Sequence, residues 1–199
     1  MKFGITDWVF IRNSRALRND ELILSEDPEL PLNSFLKSIY RSRNLNYSKF
    51  FKMDSLSKLG FLAMELLVEG SNIDPETALV FSNSSSSLQT DEEFEKSISE
   101  IPSPSLFVYT LPNIMLGELS IRHSLHSENI FFISEKFDPQ LIIDYSTSLL
   151  TANISSDIVC GWVDLYNGEY DVFLCKISRE GGLIFSPENL KKLYDNFHE

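Results

Sequence analysis

NIFFISEKFDPQLIIDYSTSLL, residues 129–150, holds the unit on which the fold rests. Residues 129–134 are apolar at both alternating sets of positions. That is the mark of a strand covered on both faces, and so of a parallel sheet between helices. A short elbow later, Asp138-Pro139 supplies an N-cap and a proline at the first helical position, which predicts a helix over residues 139–150. A strand turning through an elbow into a helix is the repeating unit of layered α/β proteins.

The pattern extends in both directions. Downstream, residues 157–164 and 170–178 read as strands joined by a hairpin at Asn167-Gly168, and Ser186-Pro187-Glu188 opens a C-terminal helix. Upstream, residues 3–11 read as a strand, and the polar residues 13–31, with Pro28 and Pro31, as a loop. Leu32, Phe35, Leu36 and Ile39 fall at helical spacing. Asp54 caps a helix whose apolar stripe of Leu56, Leu59, Ala63, Leu66 and Leu67 ends at Gly70, and Gly60 and Ala63 allow a neighbour to pack closely. Residues 77–83 read as a buried strand, the Ser-rich residues 82–90 as a loop, and the acidic stretch to Glu100 as a helix. A turn-rich segment, 102–113, leads into an amphipathic helix over 114–123. This order predicts one α/β domain over residues 1–199, with a mostly parallel sheet and one antiparallel edge.

The chain has 199 residues, 43% of them hydrophobic and 15 of them Phe, enough for one substantial core. Its formal net charge of −12 repels phosphate backbones and anionic lipid heads, which argues against nucleic-acid binding. No apolar run reaches membrane-spanning length, and Asp7 interrupts the only signal-like stretch, so the expectation is a soluble cytoplasmic protein without a membrane partner. Charge is segregated, however. Residues 1–58 hold ten Lys or Arg against seven Asp or Glu, and Lys37, Arg41, Arg43, Lys49, Lys52 and Lys58 face only Asp54. Such a segment is either a solvated helix and loop or a docking patch for an acidic protein.

Strong catalytic motifs are missing: there is no phosphate loop, GxGxxG, HExxH, GxSxG or CxxC. His123 and His126 can share a helix face but have no third ligand at an obvious position, and His198 lies near the end, so no metal and no cofactor is expected. Cys160 and Cys175 are too few for a disulfide framework, and Cys160 sits in an apolar strand, as an inert core thiol does.

Residues 49–164 resemble the N-terminal half of the β-ketoacyl-acyl carrier protein synthases, condensing enzymes of thiolase-like fold. Lys52-Met53-Asp54 and the following small-residue helix look like that family's Arg-Met-Asp segment and Ala-rich helix. PSPSLFVYTLPNIMLGELSI, residues 102–121, looks like the segment ahead of the nucleophile strand, and IVCGWVD, residues 158–164, like the strand ending in Gly-Gly-Ala-Glu. The resemblance implies a three-layer α/β/α half with a mixed five-stranded sheet of order 3-2-1-4-5, its last strand antiparallel. It sets the nucleophile at a helix N-terminus, which falls on Lys136, beside Ser134 and Glu135, where no Cys stands. The family's catalytic histidines belong to a C-terminal half with no counterpart in these residues.

What the resemblance implies is therefore a non-catalytic synthase-like subunit in a fatty-acid or polyketide-type pathway. Such a subunit would bind a condensing enzyme or an acyl carrier protein, the latter through Lys37, Arg41, Arg43, Lys49 and Lys52. Its strand Asn129, Ile130, Phe131, Phe132, Ile133 and Ser134 would pair across a two-fold axis, in a homodimer or with a full-length condensing enzyme. The surface left without a second half would seek a partner too, unless the final hairpin and helix cover it with Phe185, Leu190, Leu193, Tyr194 and Phe197. The alternatives are a residual acyltransferase or decarboxylase using Ser134, Lys136 or Cys160, and a plain dimerisation scaffold.

Overall fold

The computed structural model describes residues 3–99, 101–179 and 181–196. Its strands are β1 (Gly4–Arg12), β2 (Arg15–Arg18), β3 (Glu21–Ser25), β4 (Ala78–Asn83), β5 (Asn129–Ile133), β6 (Ile158–Tyr166), β7 (Glu169–Ser178) and β8 (Leu183–Ile184). Its helices are α1 (Leu32–Ser42), α2 (Ser55–Leu67), α3 (Leu88–Ile98), α4 (Pro104–Val108), α5 (Asn113–His123), α6 (Pro139–Thr151) and α7 (Pro187–Asp195), with a 3-10 turn at Ser48–Lys52.

The strands form one sheet of order β3-β2-β1-β7-β6-β4-β5, with β8 beside β1. β4 pairs in parallel with β5 and β6, whereas β7 runs antiparallel to both β6 and β1. Alternation along the strands sends Val9, Ile11, Leu79, Phe81, Val159 and Leu174 to one face, under α1, α2 and α5. Phe10, Val80, Cys160, Trp162, Phe173 and Ile177 go to the other, under α6 and α7. The three-layer α/β/α architecture is therefore present.

Five expectations are corrected. The sheet is mainly antiparallel rather than mostly parallel: only β4–β5 and β4–β6 pair in parallel, because the hairpins β1–β2, β2–β3 and β6–β7 each add an antiparallel pair. The sheet has eight strands rather than five, and the five foreseen lie in the order 3-2-4-5-1 instead of 3-2-1-4-5. β1 cannot be central because one of its edges is taken by β2, which leaves the other for β7. The antiparallel strand β7 is internal to the sheet, not its edge. Residues 13–31 are not a loop throughout. Asn13-Ser14 and Asn19-Asp20 all hold positive φ, the two-residue turn geometry that joins β1 to β2 and β2 to β3. The segment 102–113 also contains α4, whose cap is Ser103.

The caps read from the sequence are in place. Asp54 accepts from the Ser57 N–H at 2.9 Å, and its other carboxylate oxygen accepts from the Thr90 hydroxyl at 2.7 Å, tying α2 to α3. Gly60 lies against Met115 of α5, so closely that any Cβ there would overlap the thioether. On the opposite face Phe185, Leu190 and Leu193 are buried, so α7 covers the sheet itself. The outer side of α6 presents Gln140, Asp144, Ser148 and Thr151 to solvent, so this face needs no further cover. Phe197 lies outside the described residues.

Candidate functional site

β5 and α6 meet in the elbow formed by residues 134–138. The Ser134 N–H donates to the Asn83 carbonyl at 2.9 Å, extending the β4–β5 ladder into the elbow. Asp138 then accepts from the N–H groups of Gln140 and Leu141 at 3.0 and 3.1 Å, which starts α6. Ser134, Glu135, Lys136, Phe137 and Asp138 line a cavity of about 730 Å³ at the carboxyl ends of the parallel strands. Ser84, Trp162, Asp164, Asp171, Lys191 and Tyr194 form its other walls.

The walls are rigid. Phe137 is buried, its ring 4.5 Å from that of Tyr194 and edge-on to Trp162 and Phe173. Asp164 accepts from the Ser84 hydroxyl at 2.6 Å and from the Ser84 and Ser85 N–H groups, so the Ser-rich loop is pinned to β6. Asp171 accepts from Arg12 through one oxygen and from the Tyr194 hydroxyl through the other, at 2.5 Å. Arg12, only 3% exposed, also donates to the Tyr194 carbonyl at 2.9 Å and lies over the Tyr194 ring. Burial, followed by the hydrogen bond to Asp171, pushes the Tyr194 phenol well above its ordinary value. Tyr194 is thus a neutral wall that holds α7 in position.

The elbow is where the resemblance sets a nucleophile. Glu135 and Lys136 are exposed there and Ser134 is half-buried. Neither a cysteine nor a histidine is among the residues that line the cavity. Cys160 and Cys175 face each other across β6 and β7 with sulfurs 3.5 Å apart, both fully buried in the core. Burial, then the contact with Cys160, raises the Cys175 thiol well above its ordinary value, which keeps it from forming a thiolate. His123 lies 3.3 Å from Glu65, a partner shared with Arg122, and the His126 N–H donates to the Pro75 carbonyl. Among the described residues no cluster of three or more His, Cys, Asp or Glu side chains is placed to hold a metal ion, and His198 lies outside them.

The basic residues divide into two groups. Lys37 and Arg41 are exposed on α1, and Lys52 on the 3-10 turn. Arg43 is engaged by Glu69 at 2.6 Å, and Lys49 lies 3.7 Å from Glu118. At the far end of the sheet β5 is the terminal strand, with Ile133 exposed and Ile130, Phe131 and Phe132 half-buried. Sequence reasoning missed Arg12 and Asp171, which are 159 residues apart and carry no local motif, and read Tyr194 only as cover for the sheet.

No family model matches the sequence, and no curated protein does. Solved structures do match. The ishigamide ketosynthase/chain length factor is 12% identical with a TM-score of 0.61, over 90% of this chain and 62% of that one. A ketosynthase in complex with its chain length factor from Xenorhabdus doucetiae is 14% identical with a TM-score of 0.62, over 98% of this chain and 91% of that one. A type II polyketide synthase acyl-carrier protein in complex with its ketosynthase, bound to the hexaketide, matches at 12% identity and a TM-score of 0.63, over 89% of this chain and 62% of that one. The fold is therefore the thiolase-like fold of ketosynthases and chain length factors. The chain spans about three-fifths of two of these matched chains and nearly all of the third. No helix among the described residues is long and apolar enough to cross a membrane.

Proposed function

We propose that this chain is a non-catalytic β-ketoacyl synthase-like subunit of a fatty-acid or polyketide-type pathway, pairing with a condensing enzyme as a chain length factor does. The observation that carries the reading is the elbow. The strand, the cap and the helix that would display a nucleophile are intact, yet the displayed side chains are Ser134, Glu135 and Lys136, and both thiols are sealed in the sheet. A thiolate stabilised at a helix N-terminus has no counterpart here.

Two further observations support the pairing. β5 ends the sheet with an apolar, half-exposed strand, a surface that another chain can extend. In addition, a matched chain of a ketosynthase–chain length factor complex is covered over 91% of its own length, so chains of this size occur in such complexes. The carrier protein of the partner enzyme would approach the basic face of α1 and the 3-10 turn.

A residual acyltransferase is the competing reading, because Ser134 and Lys136 both line the cavity. Intact-mass measurement after incubation with acyl-coenzyme A and acyl carrier protein separates the two. The expected result is an unmodified chain. A stoichiometric acyl adduct on Ser134, Lys136 or Cys160 would overturn the non-catalytic reading.

A further inference from the structure

A second cavity, of about 930 Å³, lies beside the first and shares Ser84, Asp164 and Asp171 with it. Most of its remaining wall comes from two turns and the strand ends beside them. These are Asn13-Ser14, between β1 and β2, and Asn167-Gly168, between β6 and β7. Ser14 is only 5% exposed, yet among the described residues its hydroxyl has no hydrogen-bond partner. Such a group is costly to leave unsatisfied, and the cavity that Ser14 lines is where a partner can stand. The Tyr170 hydroxyl accepts from the Ser14 N–H at 2.9 Å, and its own proton has no acceptor among the described residues. The side chains of Asn13, Asn167 and Glu169 are likewise unengaged by any described residue.

The lining also says what the occupant is not. Neither Lys nor Arg is among the residues that line this cavity, whereas Asp164, Glu169 and Asp171 are, so phosphates and carboxylates are repelled. Its apolar surface is limited to Pro28 and the rings of Tyr166 and Tyr170, with no Leu, Ile, Val or Met to bury an acyl chain. A bare cation is poorly served as well. Asp171 already accepts from Arg12 and Tyr194, and Asp164 from Ser84 and Ser85. Among the described residues no three carboxylate, thiol or imidazole groups converge on a metal position. What fits is a neutral ligand that both donates and accepts, and that offers a flat C–H face to a tyrosine ring.

We propose that this turn-lined cavity binds a neutral sugar. The Ser14 and Tyr170 hydroxyls, the Asn167 amide and the Asp164 carboxylate are its polar contacts, and the Tyr166 ring meets its C–H face. Adjacent sugar hydroxyls suit carboxylate and amide groups, which exchange two hydrogen bonds at once. The site is independent of pairing with a condensing enzyme, since it uses neither the β5 edge nor the elbow side chains.

The test is saturation-transfer NMR and calorimetric titration of the intact protein with glucose, galactose, N-acetylglucosamine and maltose, beside spermidine and inorganic phosphate. At least one sugar is expected to bind and to receive saturation on its ring protons, with phosphate not binding. Ser14 and Asn167 both hold positive φ, so glycine removes either side chain without straining its turn. Ser14→Gly and Asn167→Gly are each expected to weaken sugar binding ~3- to 10-fold. No binding by any of the four sugars, or tighter binding of spermidine or phosphate than of every sugar, would overturn the proposal. Sugar affinity unchanged in both glycine variants would overturn it too, by setting the sugar elsewhere. Thermal denaturation checks that the variants are folded, and Asn167→Gly, at an exposed turn, carries the test should Ser14→Gly not fold.

Discussion

Gly161 has a φ of +151° in the middle of β6, and a Cβ there would overlap the Phe173 carbonyl oxygen of the neighbouring strand. A side chain would push β6 and β7 apart and strain the backbone as well. Gly161→Ala is expected to lower stability by about 3 kcal/mol, read as a shift in the urea midpoint. A midpoint unchanged within error would contradict the close strand approach. The strand around it was legible, because IVCGWVD resembles the corresponding family strand, although no local signal marked the close approach at Gly161. The Arg12–Asp171–Tyr194 cluster was not. Its three members come from β1, β7 and α7, and only the sheet order that sets β1 beside β7 brings them together.

Among the elements, helices were the more legible, since capping and spacing are local properties. Asp54, Asp138 and Ser186 cap α2, α6 and α7, each on the helix for which it was read. β2 and β3 escaped because they are short, half-exposed strands rich in charge, beyond the reach of an apolar pattern. Their turns use Asn-Ser and Asn-Asp in place of the Asn-Gly that marked β6–β7. Packing of α2 on α5 carries a pH signature. Burial alone would raise the Glu65 carboxyl, but the His123 ring 3.3 Å away and the two hydrogen bonds from Arg122 outweigh it and hold the group at about 2. Because the folded value is depressed, the stabilisation is present above the ordinary carboxylate value of about 4.5 and is lost as pH falls from there toward 2. Thermal melts between pH 6 and pH 3 are expected to show a shallower acid-side decline in Glu65→Gln than in the unaltered protein; parallel curves would contradict this.

At the scale of the molecule, the α/β class and its layers followed from alternating strands and helices, whereas strand order did not. Order depends on which edges remain free once hairpins form, and the unread β1–β2 hairpin was the one that decided it. The face opposite α1, α2 and α5 is covered by α7 and α6, the latter with a polar outer side, and the proposed place for a partner chain is the apolar β5 edge. Pairing without catalysis is tested by native mass spectrometry. The chain is co-expressed with a candidate condensing enzyme, and the purified sample is incubated with acyl-coenzyme A. The expected result is a one-to-one complex that carries acyl mass on the condensing enzyme alone and that is weakened at least ~10-fold by Ile133→Lys on the β5 edge. A chain that stays apart from every condensing enzyme, or that carries the acyl group itself, would contradict it.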